Sequence, residues 1–286
     1  MSGKIQPLDP GLYFVSTPIG NARDITLRAL DILGAADVLA AEDTRSLRHL
    51  MDIHGIPTAG RTILSYHDHN GERMRPRLLG ELAEGRSVAY ASEAGTPLVA
   101  DPGFQLARAA ISQGYMVTAA PGPSAAIAAL TVSGLPSDRF LFAGFPPSQS
   151  GQRKRWLAEL ANIPATLVLY ESPRRINGLF SDLVQTLGPE RSAVICRELT
   201  KRFEEVLRGP IGVLAEQVAE RPLKGEIVVL IDRAGHKAAS EDELETALRE
   251  ALECHSIRES VAIVSQSLGL PRRRVYQAAL ALGKDD

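Results

Sequence analysis

Two cysteines, Cys196 and Cys254, are all that the 286 residues contain, and they stand far apart in the chain. That excludes a disulfide framework and a cysteine-rich zinc site. No stretch of about 18 apolar residues occurs, so no membrane-spanning helix is expected. Met1 to Pro10 lack the charged-then-apolar pattern of a secretory signal, and a cytoplasmic protein is the default expectation. Positive charge is not in excess either: 32 Lys+Arg against 34 Asp+Glu leave a formal net charge of −2. Proteins that coat bare nucleic acid usually carry a strong basic excess. Any nucleic-acid contact must therefore come from local basic patches. Several chemistry-bearing motifs are missing as well. Without G-x-G-x-x-G a dinucleotide site is not expected, and without G-x-x-x-x-G-K-[ST] neither is a P-loop. H-E-x-x-H, C-x-x-C and the G-x-S-x-G hydrolase elbow are also lacking.

What remains is a chain with 44% hydrophobic residues, long enough for two domains of ordinary size or one large one. Short apolar runs at Leu12–Ser16, Asp37–Ala41, Thr62–Ser65, Ser87–Ala91 and Tyr115–Ala119 alternate with helical patterns. Those patterns cover Thr26–Ala36, Thr44–Ile53, Glu72–Glu84 and Phe104–Gln113. Strand–helix alternation at this interval predicts a mostly parallel sheet covered by helices, in a domain spanning 1–121. Beyond Pro121, Ser124–Val132 reads as a buried helix, interrupted at Leu135-Pro136-Ser137. Strands follow at Phe140–Gly144, Ala165–Tyr170, Ser192–Cys196, Glu204–Leu207 and Glu226–Ile231, with helices at Gly151–Ala161, Arg174–Leu187 and Ile211–Glu220. No helix separates Ser192–Cys196 from Glu204–Leu207. That predicts a hairpin and hence a mixed sheet in a second domain, 122–236. Asp232–Ser240 reads as a linker to a helical tail, 240–286. Residues 241–260 hold seven acids and two arginines, whereas 261–284 hold four basic residues and no acid. Gly269 to Tyr276, with Arg272, Arg273 and Arg274 opening a helix, fits either a helix-turn-helix or a helical hairpin packed on a partner subunit.

The loops after the predicted first-domain strands are rich in glycine, proline and small polar residues: Thr17–Asn21, Glu42–Arg45, Ser92–Pro97 leading into Asp101–Gly103, and Pro121–Ala125. Singly, each reads as a turn. Four at corresponding strand ends point to a ligand site, because open parallel sheets bind ligands there and small residues let the backbone approach closely. Asp101 or Glu93 is placed to face a cationic group. His67-Asp68-His69 has metal-ligand residue types, but it follows a strand and precedes the turn signal Asn70-Gly71, so no metal is expected. Cys196 reads as core. Trp156, beside Arg153-Lys154-Arg155, fits an ordinary helix with one aromatic turned inward or an exposed RNA-binding helix.

Eight segments together carry a resemblance: TPIGNARDIT (17–26), AEDTR (41–45), SYHDHN (65–70), SEAGTPLVADPG (92–103), PGPSA (121–125), YESPRR (170–175), CRELTKRFEE (196–205) and KGEIVVLI (224–231). In order and over residues 11–232, they resemble the tetrapyrrole methylase superfamily. They are most similar to its branch that methylates the 2′-hydroxyl of a cytidine in 16S rRNA. Where that family reads SDAGTP, this chain has Glu93, which keeps the charge and lengthens the reach. The resemblance implies a class III methyltransferase fold, two α/β domains with S-adenosyl-L-methionine in the interdomain cleft, and a homodimer. It places Pro18 and Gly20 on the first loop, and Ser92, Glu93, Ala94, Gly95, Thr96, Pro97 and Asp101 on the methionine side. Ser124 and Ala125 would stand near the cofactor, with Tyr170, Glu171, Lys224, Gly225 and Glu226 closing the site from the second domain.

A ribose hydroxyl is a poor nucleophile, so a base or a cation near it is expected. Glu42, Asp43, Asp101 and Glu171 are candidates for the base. Lys224 or Arg45 is a candidate for stabilising the oxyanion. Asp43 and Thr44 equally suit a helix N-cap. For the 16S rRNA of the 30S subunit, the expected contacts are Arg23, Arg28, Arg45, Arg48, Arg174, Arg175 and Arg272–Arg274. Arg73, Arg75 and Arg77 fit RNA contact or a plain solvated helix face. Two other functions share the same residues: a methyltransferase acting on a tetrapyrrole-type small molecule, and a non-catalytic, cofactor-sensing RNA-binding module.

Overall fold

The structure, a computed structural model, describes residues 6–99, 103–234, 241–268 and 270–282. The first unit alternates strands and helices: β1 (Gly11–Val15), α1 (Leu27–Ala35), β2 (Val38–Ala41), α2 (Thr44–Ile53), β3 (Ile63–Ser65), α3 (Gly71–Ala83), β4 (Ser87–Ala91), α4 (Phe104–Ser112) and β5 (Val117–Ala120). The five strands form one parallel sheet in the order β3-β2-β4-β1-β5. The chain steps one way across the sheet from β1 to β3 and the other way from β3 to β5. Because crossovers are right-handed, the two directions put their helices on opposite faces. Leu12, Phe14, Val88 and Tyr90 pack under Leu78, Leu82 and Leu106 of α3 and α4. Their strand neighbours Tyr13, Val15, Ala89 and Ala91 pack under Ile32, Leu33, Leu47 and Met51 of α1 and α2. Burial on both faces is why these strands read as unbroken apolar runs. β4 lies between β2 and β1, yet its exit runs opposite to theirs. A crevice at a topological switch point opens at the carboxyl ends of such strands.

The second unit comprises α5 (Ala125–Ser133), β6 (Phe140–Gly144), α6 (Ser150–Leu160), β7 (Thr166–Glu171), α7 (Ile176–Leu187), β8 (Ser192–Arg197), β9 (Glu205–Pro210), α8 (Ile211–Glu220) and β10 (Ile227–Ile231). Its sheet runs β6-β7-β10-β8-β9 and is mixed: β6 pairs parallel with β7, and the other pairs are antiparallel, β8–β9 being the expected hairpin. Ile227 pairs with both Glu171 and Arg197, which brings the amino end of β10 level with the carboxyl ends of β7 and β8. α5 covers one face over Val168, Val194, Val228 and Leu230, and Ile19 from the first unit joins that cluster. α6, α7 and α8 cover the other face over Leu167, Leu169, Ile195 and Val229. The tail forms α9 (Glu241–Cys254), α10 (Ile257–Leu268) and α11 (Arg272–Leu282) around Leu248, Val261, Val264 and Val275.

The start of β5 and both ends of β9 depart from expectation for local reasons. The strand expected from Tyr115 begins at Val117, because Gly114 turns at φ +78° and the Tyr115 amide donates back to Ala110 O at 3.1 Å. Those residues finish the helix before the strand starts. β9 runs to Pro210 rather than Leu207, because its pairing with β8 continues from Arg197↔Glu205 to Ser192↔Pro210. Glu204, expected in that strand, instead accepts from the Thr200 amide at 2.6 Å.

Candidate active site

The loops that leave the first sheet are bonded to one another. After β1, Thr17 and Gly95 form an antiparallel bridge, each amide donating to the other's carbonyl at 3.0 Å. The Thr17 hydroxyl donates to Ser92 O at 3.2 Å, and the Ser92 hydroxyl donates to Gly95 O at 2.6 Å. The Thr96 hydroxyl reaches the loop after β5 and donates to Pro123 O at 2.8 Å. Gly95 adopts φ +83°, which an L side chain resists, so glycine is required at that bridge. After β2, Asp43 caps α2 by accepting from the Arg45 amide at 2.7 Å, and its carboxylate also pairs with the Arg45 guanidinium at 3.0 Å. The Arg45 side-chain bond foremost holds the Asp43 carboxyl at about 2. Arg45 itself is exposed.

The second sheet meets these loops with the aligned ends of β7, β8 and β10. Glu171 is buried. Its Oε1 accepts from the Ser172 amide at 2.8 Å and lies 3.2 Å from Arg175 Nε, while its buried Oε2 has no hydrogen-bond partner. Burial pushes its pKa above the ordinary glutamate value, against the Ser172 bond and Arg175. The Tyr170 hydroxyl accepts from the Ala126 amide at 3.1 Å, and burial raises its pKa as well. Across the strand ends, the Lys201 ammonium bridges Glu198 Oε1 and Glu226 Oε2, each at 3.0 Å. Burial opposes its charge, yet the two carboxylates outweigh that and raise its pKa. Glu198 also accepts from the Glu226 amide at 2.9 Å, the leading cause of its lowered pKa. Glu198 and Thr200 stand at φ +51° and +64°, and Leu98 in the β4 loop at +71°. Left-handed residues other than glycine are costly and gather at functional sites. The two units approach closely here: a Cβ on Gly20 would lie 2.5 Å from Lys201 Cγ, and the Asn21 amide donates to the Thr200 hydroxyl at 3.1 Å.

Between these elements lies a cavity of about 660 Å³, a size suited to a cofactor. Pro18, Gly20 and Glu42 line it from the first two loops, and Glu93, Ala94, Gly95 and Thr96 from the third. Ser124 and Ala125 follow, with Tyr170, Glu171, Gly225 and Glu226 on the other side. Ser92 and Pro97 are buried behind the wall, and Ser92 acts there as a brace. Asp101 lies outside the described residues. Asp43, which caps α2, Lys224 and Arg45 do not line the cavity either. Lys224 is exposed, because the chain turns at Gly225 (φ +86°) between it and β10, and only its carbonyl is used, by Arg197 at 3.2 Å. Arg45 points outward in its pair with Asp43. Sequence reasoning missed Lys201, Ser46 and Phe145 in the lining. Lys201 sits in a quoted motif, but nothing local shows that a hairpin folds it back over Glu226. Cys196, expected in the core, is buried, and burial pushes its thiol up to about 12.

Among the described lining residues, the carboxylates Glu42, Glu93, Glu171 and Glu226 face one lysine, itself already paired. Such a wall favours a cationic ligand and disfavours phosphate. An unpartnered buried carboxylate oxygen is costly unless something donates to it. Gly20, Gly95 and Gly225 line the cavity, and the space of their missing side chains is taken by Lys201, Ile19 and Glu198. The residues fit a sulfonium-bearing amino acid nucleoside. Of the proposed RNA contacts, Arg23, Arg28, Arg48, Arg174, Arg272 and Arg273 are exposed. Arg175 is committed to Glu171 and to the carbonyls of Pro146 and Pro147. Arg274 is half-buried at the start of α11, and His67-Asp68-His69 lies in the loop after β3.

Comparison with known proteins agrees with this geometry. The family Tetrapyrrole (Corrin/Porphyrin) Methylases matches residues 11–215, and the RsmI C-terminal HTH domain matches residues 238–283. The ribosomal RNA small subunit methyltransferase I of Mesorhizobium japonicum is 46% identical, covering 97% of this chain and 94% of its own length. Among solved structures, the methyltransferase CobJ superposes with a TM-score of 0.61 at 18% identity, over 78% of this chain and 94% of its own. The uroporphyrin-III C-methyltransferase of Thermus thermophilus, complexed with S-adenosylhomocysteine, superposes with a TM-score of 0.54 at 21% identity, over 78% of this chain and 98% of its own. The chain therefore belongs to the tetrapyrrole methylase family, in the group of the ribosomal RNA small subunit methyltransferases I.

Proposed function

We propose that this chain transfers a methyl group from S-adenosyl-L-methionine to the 2′-hydroxyl of a cytidine in the 16S rRNA of the 30S subunit. The observation that carries this reading is the acidic, glycine-lined cavity at the meeting edges of two sheets, in a chain whose relatives are named for small-subunit rRNA. When bound, S-adenosyl-L-methionine supplies an electrophilic methyl on a sulfonium sulfur. The residues of this chain do the rest. Gly20, Gly95 and Gly225 line the cleft, and Glu42, Glu93 and Glu171 balance the positive charge. Ser124, Ala125 and Tyr170 shape the wall. Positioning in a closed cleft supplies a large share of the rate of such a displacement. Glu42, Asp101 and Glu171 are the residues proposed to accept the hydroxyl proton, and Lys201, rather than Lys224 or Arg45, lies in the wall to stabilise the oxyanion.

The RNA approaches from outside this wall. Exposed Arg23, Arg28, Arg48 and Arg174 provide phosphate contacts near the cleft. Arg272 and Arg273, at the start of α11 in the segment matching the helix-turn-helix family, provide a second set. Phe104 and Ile111, seven residues apart on α4, stay exposed, which supports a homodimer. No described helix is long and apolar enough to cross a membrane. We place the enzyme in the cytoplasm with the ribosome. Nucleoside mass spectrometry of 16S rRNA from cells lacking this protein tests the reading. Loss of one 2′-O-methylcytidine is expected, and an unchanged methylation pattern would refute it.

A further inference from the structure

β6 carries a register shift between Phe142 and Gly144, and Gly144 adopts φ +71°. Bulges of this kind re-aim the side chain that follows and recur beside active sites. The residue re-aimed is Phe145. It lines the cavity, yet 57% of its surface stays exposed, so it stands at the mouth rather than in the wall. Its ring meets Tyr170 edge-on at 5.6 Å between centroids, and Tyr170 in turn meets Phe142 at 4.8 Å. The backbone behind it is anchored. Arg175 donates to the Pro146 and Pro147 carbonyls, and Arg153 donates to Pro147 O at 3.3 Å and Ser148 O at 3.1 Å. Arg153 is itself locked to Asp182 by a buried ion pair at 2.7 Å. Two arginines thus hold a solvent-facing phenyl ring over an acidic cavity.

A phenylalanine that is more than half exposed gains little for stability, and this one stands on backbone that is anchored. The cavity below it is lined by carboxylates, which repel the phosphates of a polynucleotide. A nucleotide can enter only with its phosphates outside, so its base needs an uncharged surface to rest on. Aromatic side chains serve this purpose for bases drawn out of the RNA stack. Exposed Arg174, beside the lining residue Pro173, is placed to meet the adjacent phosphate. We propose that Phe145 is a positioning residue for RNA: the platform on which the target nucleobase stacks once it has left the helix. The inference rests on the rRNA methyltransferase reading and adds to it the group that receives the base.

The test uses the full chain with 30S subunits and labelled S-adenosyl-L-methionine. Phe145→Ala removes the ring, Phe145→Leu keeps apolar bulk without an aromatic face, and Phe145→Trp keeps the face. Stacking of one base is worth about five- to 150-fold in affinity. We expect Phe145→Ala and Phe145→Leu to raise KM for 30S by at least about fivefold. Phe145→Trp should stay near wild type, and calorimetry should find that donor affinity falls by less than KM rises in Phe145→Ala and Phe145→Leu. A Phe145→Leu variant that behaves like wild type, an unchanged KM for Phe145→Ala, or a donor affinity that falls as far as KM rises would overturn the proposal. Absence of label transfer by the wild-type chain would instead sink the methyltransferase reading itself.

Discussion

Gly225→Ala tests whether the Glu198–Lys201–Glu226 cluster belongs to the donor site. Gly225 sits at φ +86°, and a Cβ there would fall 2.3 Å from both Cδ and Oε1 of Glu198. Holding alanine in the left-handed region costs about 1 kcal/mol. The overlap is with a flexible carboxyl end, so the backbone stays and Glu198 moves. It then loses the Glu226 amide at 2.9 Å and Lys201 at 3.0 Å. Bonds to charged groups are worth about 1.5–3 kcal/mol each, and partial exposure of this pair places them at or below the lower end. The total loss is about 2–4 kcal/mol. Part of it falls on the fold. The rest falls on the cavity, where Lys201, left with Glu226 alone, adds positive charge against a cationic ligand, and donor affinity should drop by about tenfold or more. Gly85→Ala is the control: the same left-handed φ (+75°), but nothing within 4 Å of the added Cβ. It should cost about 1 kcal/mol of stability and leave the donor untouched. Thermal unfolding and titration calorimetry with S-adenosyl-L-methionine read both quantities. Should Gly225→Ala bind the donor within twofold of wild type, or Gly85→Ala weaken it equally, the cluster is not part of the site.

Other consequences follow from buried charge and from the tail. Glu171 has a raised pKa, so the folded state holds its proton more tightly than the unfolded chain does. Its contribution to stability is therefore present below the ordinary glutamate range and is lost as pH rises through the raised value. Glu171→Gln should remove that decline and melt no lower than wild type at neutral pH, while weakening donor binding; a melting temperature that falls only at neutral pH would reverse the assignment. Asp182→Ala leaves the buried Arg153 guanidinium uncompensated and should cost about 3–5 kcal/mol in chemical unfolding, whereas a loss under 1 kcal/mol would mean that solvent reaches the pair. A chain ending at residue 234 should bind the donor normally and 30S subunits more weakly, with a shallower salt dependence; equal affinity of both chains for 30S would remove the tail from RNA recognition.

Much of the fold was legible because it is local. Strands buried on both faces show as apolar runs, and Thr44–Ile53 and Ile211–Glu220 coincide with the helices formed. The convergence of four loops was legible too, because strand–helix alternation forces parallel strands and parallel strands place their exits on one edge. The parts that escaped are non-local or depend on a single backbone angle. Strand order was beyond reach, since nothing in Ser87–Ala91 announces that it lies between β2 and β1. Lys201 entered the site because the turn of the β8–β9 hairpin folds over Glu226, 25 residues further along the chain. Lys224 left it through one positive φ at its neighbour. Phe145 was aimed by a bulge that the alternation of β6 does not reveal.

The central claim is a methyl transfer. Purified protein, 30S subunits and labelled S-adenosyl-L-methionine, followed by digestion of the 16S rRNA to nucleosides, test it most directly. The account predicts that label appears in a single nucleoside, 2′-O-methylcytidine. Label on a base, or none on RNA although the donor binds tightly, would contradict it.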